Sequence, residues 1–240
     1  MEHYTPLGHG SSGVVVGDNM LHSSHALKLY SAPADEPAIL REGSIQAAAS
    51  RALSRTLRVP SVHTVTRRPV VFDDEDYIAG IYMDPVPGHQ AIDGAQLHIP
   101  LGANLEHDEW HPNGFFPTIH TLEKLLEFKR SRHTIESIAY TMGKAHRTLL
   151  DAGIIPDHVK FLYGADGLIW MIGFRHCRTG HMDLGASSKL APRTLSGTSS
   201  SEDPFMWLND RRREVEPYAP REGQRGRPEY LAGFLDSPTG

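Results

Sequence analysis

Leu7-Gly8-His9-Gly10-Ser11-Ser12-Gly13-Val14-Val15-Val16 sets three glycines in the spacing G-x-G-x-x-G and runs straight into β-branched residues. Two chemistries share that spacing: the turn that opens a helix in dinucleotide-binding folds, and the glycine-rich hairpin that covers nucleotide phosphates. The first needs a helix directly after the glycines. Val14-Val15-Val16 followed by Gly17-Asp18-Asn19 predicts a strand and a turn instead. Glycine suits a phosphate-covering hairpin because backbone amides must approach the ligand and a Cβ would obstruct them. The same residues would equally make a tight hairpin with no ligand.

The next strand raises the value of that loop. Ala26-Leu27-Lys28-Leu29-Tyr30 is a short apolar run interrupted by one lysine, fifteen residues after Gly13. Alternation along a strand puts Ala26 and Lys28 on one face, under the glycine loop. A lysine there can act as a compact charge on nucleotide phosphates. Residues 38 to 57 hold Ala, Leu, Arg and Gln without proline and predict a helix, with Pro37 near its start and Pro60 beyond its end. Glu42 in that helix is the expected ion-pair partner of Lys28. Glu36 is the rival, expected to lie before Pro37 and outside the helix.

Further on, strands are predicted near 61 to 66 and 77 to 83, with the acidic run Asp73-Asp74-Glu75-Asp76 as a solvated turn before the second. Residues 84 to 118, rich in Pro, Gly and His, read as a long connection. Helices are predicted at 119 to 132 and 134 to 152. The second carries Ile135, Ile138, Ala139, Met142, Ala145 and Leu149 on one face, Thr134 as N-cap and Gly153 as its stop. Residues 159 to 174 predict a β-hairpin. From 186 onward periodicity is poor, and 195 to 203 reads as a flexible loop. Strands first and helices after them predict an α+β fold in two lobes rather than an alternating β/α fold.

Composition removes several functions. The chain has 240 residues, 39% hydrophobic and 22% charged, enough for one domain or two joined lobes with a core. Its single cysteine, Cys177, excludes an intramolecular disulfide and any zinc site that needs two cysteines. A net charge of −5 gives no global pull toward nucleic acid or an anionic membrane. No apolar run approaches a membrane span, and the first residues lack a signal pattern, so an intracellular, cytoplasmic protein is expected. Among the 15 histidines, His107 and His111 have metalloprotease spacing, but Asp108 stands where the glutamate is required and Pro112 stops a helix. The arginines between Arg211 and Arg227 are interleaved with glutamates and lack stacking aromatics, which argues against nucleic acid.

Taken together, Gly8, Gly10, Gly13, Lys28 and Glu42 make the chain resemble the protein-kinase-like fold. Tyr82-Met83-Asp84 resembles the hinge between lobes, and Met142 to Ile155 the helix leading to a catalytic loop. More narrowly, Ala152 to Gly164, Trp170 to Phe174, Cys177 and Asp203-Pro204 resemble a fungal kinase-like domain family of unknown function whose members are often labelled zinc-finger-like. One cysteine cannot make such a finger, so no zinc is expected. The resemblance implies a small β-rich N-lobe over 1–83, a hinge and connection over 84–118, a mainly helical C-lobe over 119–194 and a partly flexible tail over 195–240. It implies ATP as ligand, contacted by Gly8, Gly10, Gly13, Lys28, Glu42 and Met83.

The catalytic pattern is incomplete. The resemblance puts His158 at the position of the proton-accepting aspartate, with Asp157 one residue before it as the alternative base. Five residues further stands Leu162 or Tyr163, not asparagine. The metal-binding Asp-Phe-Gly reads Gly173-Phe174-Arg175, and glycine has no carboxylate for magnesium. A rival register through His181-Met182-Asp183-Leu184 and Asp203 would restore both aspartates, but residues 184 to 202 lack the strand pairs it requires. The general base alone is worth about 10² to 10⁴ in rate. The expectation is a pseudokinase that acts as a regulatory or accessory binding protein, with an unidentified protein partner. The alternatives are an atypical small-molecule phosphotransferase using Asp157 and a structural adaptor without a small ligand.

Overall fold

The computed structural model describes residues 4–10, 13–18, 25–31, 33–54, 57–87, 99–101, 134–157, 159–164, 166, 168–180, 219 and 222–236. The helix expected at 119–132, most of the long connection, the loop at 195–203 and His158 lie outside them. The described residues form a mixed α/β structure with a five-stranded antiparallel sheet, two smaller sheets and three α-helices. None of these helices is long and apolar enough to cross a membrane.

The large sheet contains β1 (Tyr4–Gly10), β2 (Gly13–Asp18), β3 (His25–Ser31), β4 (Val62–Phe72) and β5 (Glu75–Met83), in the order β1-β2-β3-β5-β4. Three strands, not the expected two, occupy the first thirty residues, because Tyr4–Gly10 pairs with β2 down to Gly10↔Gly13. β4 runs well past residue 66. Its turn into β5 uses Asp73 and Asp74, both at positive φ (54° and 60°), a conformation that aspartate tolerates in tight hairpins. The turn is therefore shorter than the acidic run, and Glu75 and Asp76 already belong to β5.

Strand alternation sorts β3 into two faces. Leu27 and Leu29 pack with Val14, Val16, Val70, Tyr77 and Ala79. Ala26 and Tyr30 pack on the opposite side with Leu7, Ile39, Ile81 and Met83. That second face is covered by α1 (Glu36–Ala52). The helix starts before residue 38 and ends before residue 57, so Glu36 lies inside it, contrary to expectation. Pro37 sits in its first turn, where the missing N–H costs nothing. Helix and sheet approach closely at two glycines: a Cβ on Gly43 would collide with Val65, and one on Gly80 with the Tyr30 ring.

The far end of α1 enters another core. Ile45, Ala49 and Leu53 pack in one cluster with residues of α2 (Ile135–Asp151). Thr134 caps α2 as expected: its hydroxyl accepts from Ser137 N at 3.2 Å, while Ser137 Oγ accepts from Thr134 N at 3.0 Å. Gly153, at φ 71°, follows the end of the helix. Two small sheets lie beyond it. One joins β6 (Ile99–Leu101), a strand inside the predicted connection, to the expected hairpin of β8 (Lys160–Tyr163) and β9 (Ile169–Ile172). The other pairs β7 (Ile154–Ile155) with β10 (Arg178–Thr179), after a 3-10 turn at Phe174–His176. Arg58, just after α1, bonds to the hairpin through its backbone: its N–H donates to Ile169 O at 3.1 Å and its carbonyl accepts from Met171 N at 2.8 Å.

Part of the predicted tail is structural. Residues Arg227–Leu235 form α3, which packs on α2 with Tyr230 and Phe234 fully buried. The two helices meet backbone to backbone, since a Cβ on Gly143 would strike the Tyr230 carbonyl and one on Gly233 the Tyr140 carbonyl. His146 lies in this seam, fully buried, with Nδ1 2.8 Å from the Tyr230 hydroxyl. Burial pushes its pKa down from the usual 6.5 to about 3.

Two outcomes follow from the seam. Gly143→Ala gains about 1 kcal/mol of helix propensity but overpacks the backbone contact at about 1–3 kcal/mol, so its urea midpoint falls. For His146, the unfolded chain takes up a proton below about pH 6.5 that the native chain refuses, so its contribution is complete above that pH and is lost as pH falls toward 3. Going from pH 7.5 to 5 should cost about 2 kcal/mol through this group. The acid-side slope of stability should be shallower in His146→Gln, as measured by denaturant titration at each pH.

Candidate functional site

The candidate site gathers on the face of β3 that α1 covers. Lys28 Nζ lies 2.5 Å from Glu42 Oε1, with the lysine side chain 11% exposed and the glutamate 1%. The other carboxylate oxygen, Oε2, accepts from the Tyr30 hydroxyl at 2.8 Å. Lys28 Nζ also stands 4.7 Å from the centroid of the Tyr30 ring. The two expected partners, Lys28 and Glu42, are thus brought together. The rival, Glu36, instead pairs with Arg67 at 2.5 Å on the exposed side of the helix.

The ion pair is held in low-dielectric surroundings, where an unpaired carboxylate would be costly. Tyr30 supplies the second donor. It can do so because it is two residues from Lys28 on the same strand face and because Gly80 leaves room for its ring. Burial, and then the charge of Glu42 and the bond to it, raise the Tyr30 pKa far above the phenol range, so the hydroxyl keeps its proton and donates. The sequence held the signal for Tyr30, namely i+2 spacing on an alternating strand.

The glycines divide by their surroundings. Gly13 has φ 137°, and a Cβ there would strike the Leu29 carbonyl on β3, so the close approach of two strands requires glycine. Gly8 pairs with Val15, but a Cβ on it would meet nothing within 4 Å. Gly10 closes the pairing opposite Gly13. Met83 ends β5 opposite Ala26, and its side chain turns inward, where its sulfur accepts from Gln46 Nε2 at 3.3 Å.

The remaining sites lie around the 3-10 turn. Gly173 has φ 81°, a left-handed conformation that glycine adopts freely. Phe174 is fully buried against α1 and Arg175 is exposed. Asp157 is half-buried between β7 and β8, and its carbonyl faces Cys177 Sγ at 3.9 Å. Burial pushes the Cys177 thiol up to about 12, with the charges of Asp157 and Glu42 adding to the rise, so it is a packed residue and not a thiolate.

A separate groove of about 660 Å³ opens between the end of α1, the segment that follows it and the hairpin of β8 and β9, lined in part by Arg51, Arg58, Asp84, Asp166 and Trp170. Its carboxylates are engaged: Asp84 Oδ1 lies 2.6 Å from His63 Nε2, and Asp166 accepts from the Trp170 indole at 3.2 Å. Among the described residues, no three His, Cys, Asp or Glu side chains come together as a metal-binding group.

Tyr30→Phe should cost about 1–3 kcal/mol by leaving one oxygen of Glu42 unsatisfied. Combined with Lys28→Ala, the loss should exceed the sum of the single variants, because both donors serve one carboxylate. A double-mutant cycle by urea unfolding measures this.

Comparison of the chain with protein-family models and with curated proteins yields no match.

Proposed function

We propose that the chain is a kinase-like nucleotide-binding protein that has lost phosphoryl transfer, a pseudokinase working as a regulatory or accessory binding protein. In this reading the large sheet with α1 is the small lobe, and the region of α2, α3 and the second hairpin is the helical lobe. The observation that carries it is the Lys28–Glu42 pair, a lysine on the strand behind a glycine hairpin held by a buried glutamate of the following helix. Such a lysine is oriented toward phosphates by its partner instead of hanging in solvent. Gly8 adds support, because nothing in the surrounding packing demands glycine there, whereas a phosphate lying on the strand backbone would.

The loss of catalysis follows from what the chain lacks. Gly173 brings no carboxylate for a metal, and the asparagine five residues after the expected base is replaced. Removing both the metal ligands and a positioned base removes the main electrostatic stabilisation of phosphoryl transfer.

Calorimetry with ATP tests this reading. Binding is expected for the parent chain, with loss of tenfold or more in Lys28→Ala, on the scale of about 1.4 kcal/mol per tenfold. No ATP turnover is expected; turnover that Asp157→Asn abolishes would make the chain an atypical phosphotransferase instead. Absence of nucleotide binding at millimolar concentration would leave an adaptor without a small ligand.

A further inference from the structure

The groove beside the end of α1 is separate from the Lys28–Glu42 site, and neither of those residues lines it. Its walls follow from alternation along two extended segments. Leu57 and Val59 are buried in the core that α1 shares with α2, so Arg58 between them turns outward. On the hairpin, Ile169 and Met171 point into the same core, so Leu168 and Trp170 face the groove. Arg58 is bridged to Trp170 by its two backbone bonds, to Ile169 O and from Met171 N, which sets the two side chains next to each other. Those bonds also occupy the outer edge of β9 at Ile169 and Met171. A ligand there is recognised by side chains and not by adding a strand.

Two carboxylates and two guanidiniums line the groove, and they are not equally available. Both oxygens of Asp166 lie 3.2 Å from the Trp170 indole nitrogen, and Oδ1 also accepts from Leu168 N at 3.1 Å. Gly164 leaves the space for that carboxylate, since a Cβ there would strike it. Asp84 is engaged with His63. Arg58 Nη1 reaches the Ser54 carbonyl at 3.5 Å, longer than an ordinary hydrogen bond. Among the described residues neither Arg51 nor Arg58 pairs with a carboxylate. A guanidinium carries five donors in a planar fork that fits a carboxylate or a phosphate, so each arginine keeps most of its donors for a ligand. The Trp170 indole has its N–H committed to Asp166 and offers its apolar ring. The volume of about 660 Å³ is that of a small-ligand site, which runs from about 300 to 1,000 Å³.

We propose that this groove is a binding site of its own, for a small organic anion whose carboxylate or phosphate group is met by Arg51 and Arg58 and whose flat apolar part lies against Trp170. The site does not depend on the nucleotide reading. Its walls come from the end of α1 and from the hairpin, so a bound anion fastens those two elements together.

The test is a titration of the full chain with phenyl phosphate and with benzoate, followed by the nitrogen–proton NMR signal of the Trp170 indole, which is identified by its loss in Trp170→Phe. At least one of the two should move that signal and saturate at millimolar concentration, and which one does so tells a phosphate ester from a carboxylate. Inorganic phosphate and acetate, which lack the ring, and benzamide, which lacks the charge, should each bind about tenfold more weakly or worse. Arg58→Gln, a change at an exposed position, should weaken the anion about tenfold, the scale of one charged hydrogen bond, with the melting temperature of the free chain unchanged. Lys28→Ala should leave the titration as it is. Benzamide that binds as tightly as the anions, or Arg51→Gln and Arg58→Gln variants that both bind like the parent, overturns the anion assignment. Inorganic phosphate or acetate that binds as tightly as its aromatic counterpart overturns the role of Trp170. A signal that none of these compounds moves overturns the site and leaves nucleotide binding standing. A titration abolished by Lys28→Ala places the anion at the other site and overturns this one.

Discussion

A carboxylate that is 1% exposed needs a reason to stay charged, and Glu42 has two: an ammonium on one oxygen and a phenol on the other. Taking a carboxylate out of water costs several kcal/mol, and only well-aligned donors offset it. Both donors come from β3 and the acceptor comes from α1. The three side chains therefore fix the rotation of the helix on the sheet, not merely its proximity. The same rotation turns Ile39 onto the sheet and sends Ile45, Ala49 and Leu53 into the neighbouring core. One helix thus belongs to two hydrophobic clusters, and the polar triad sets how it is divided between them.

That division is what gives the turn at Phe174 its position. Phe174 fills the cluster that α1 shares with α2, and Arg175 next to it is exposed. Gly173 allows the chain to reverse there in a left-handed conformation. Glycine there offers no carboxylate.

Much of this could be read from sequence where periodicity and chemistry agreed. The Lys28–Glu42 pair followed from strand alternation and a helix fourteen residues on, and the Thr134 cap and Gly153 stop followed from local hydrogen-bonding rules. What escaped had weak local signals. β1 mixes Pro6, Gly8 and Gly10 with few β-branched residues, so only its pairing with β2 makes it a strand. α3 is nine residues long and carries both Pro228 and Gly233, poor helix formers that tertiary packing overrides. Arg175 carried no signal of its own, since its placement depends on the burial of residues on either side of it.

The glycine seam between α2 and α3 has a consequence for the order in which the chain acquires its structure. Gly143 and Gly233 let the two backbones touch, so a segment that takes the place of α3 would have to match that close approach. Until α3 has been synthesised, Ala139 and Met142 have lost a covering layer, and the His146 ring is open to water and free to take a proton. At about 5–20 residues per second, the roughly 75 residues between the two helices delay their meeting by roughly 4 to 15 s. During that interval the five-stranded sheet and α1 already exist as chain, while Tyr230 and Phe234 of the second core are still missing. The N-terminal part of the molecule therefore has to hold itself together through the Lys28–Glu42–Tyr30 triad before the C-terminal helix can close the fold around it.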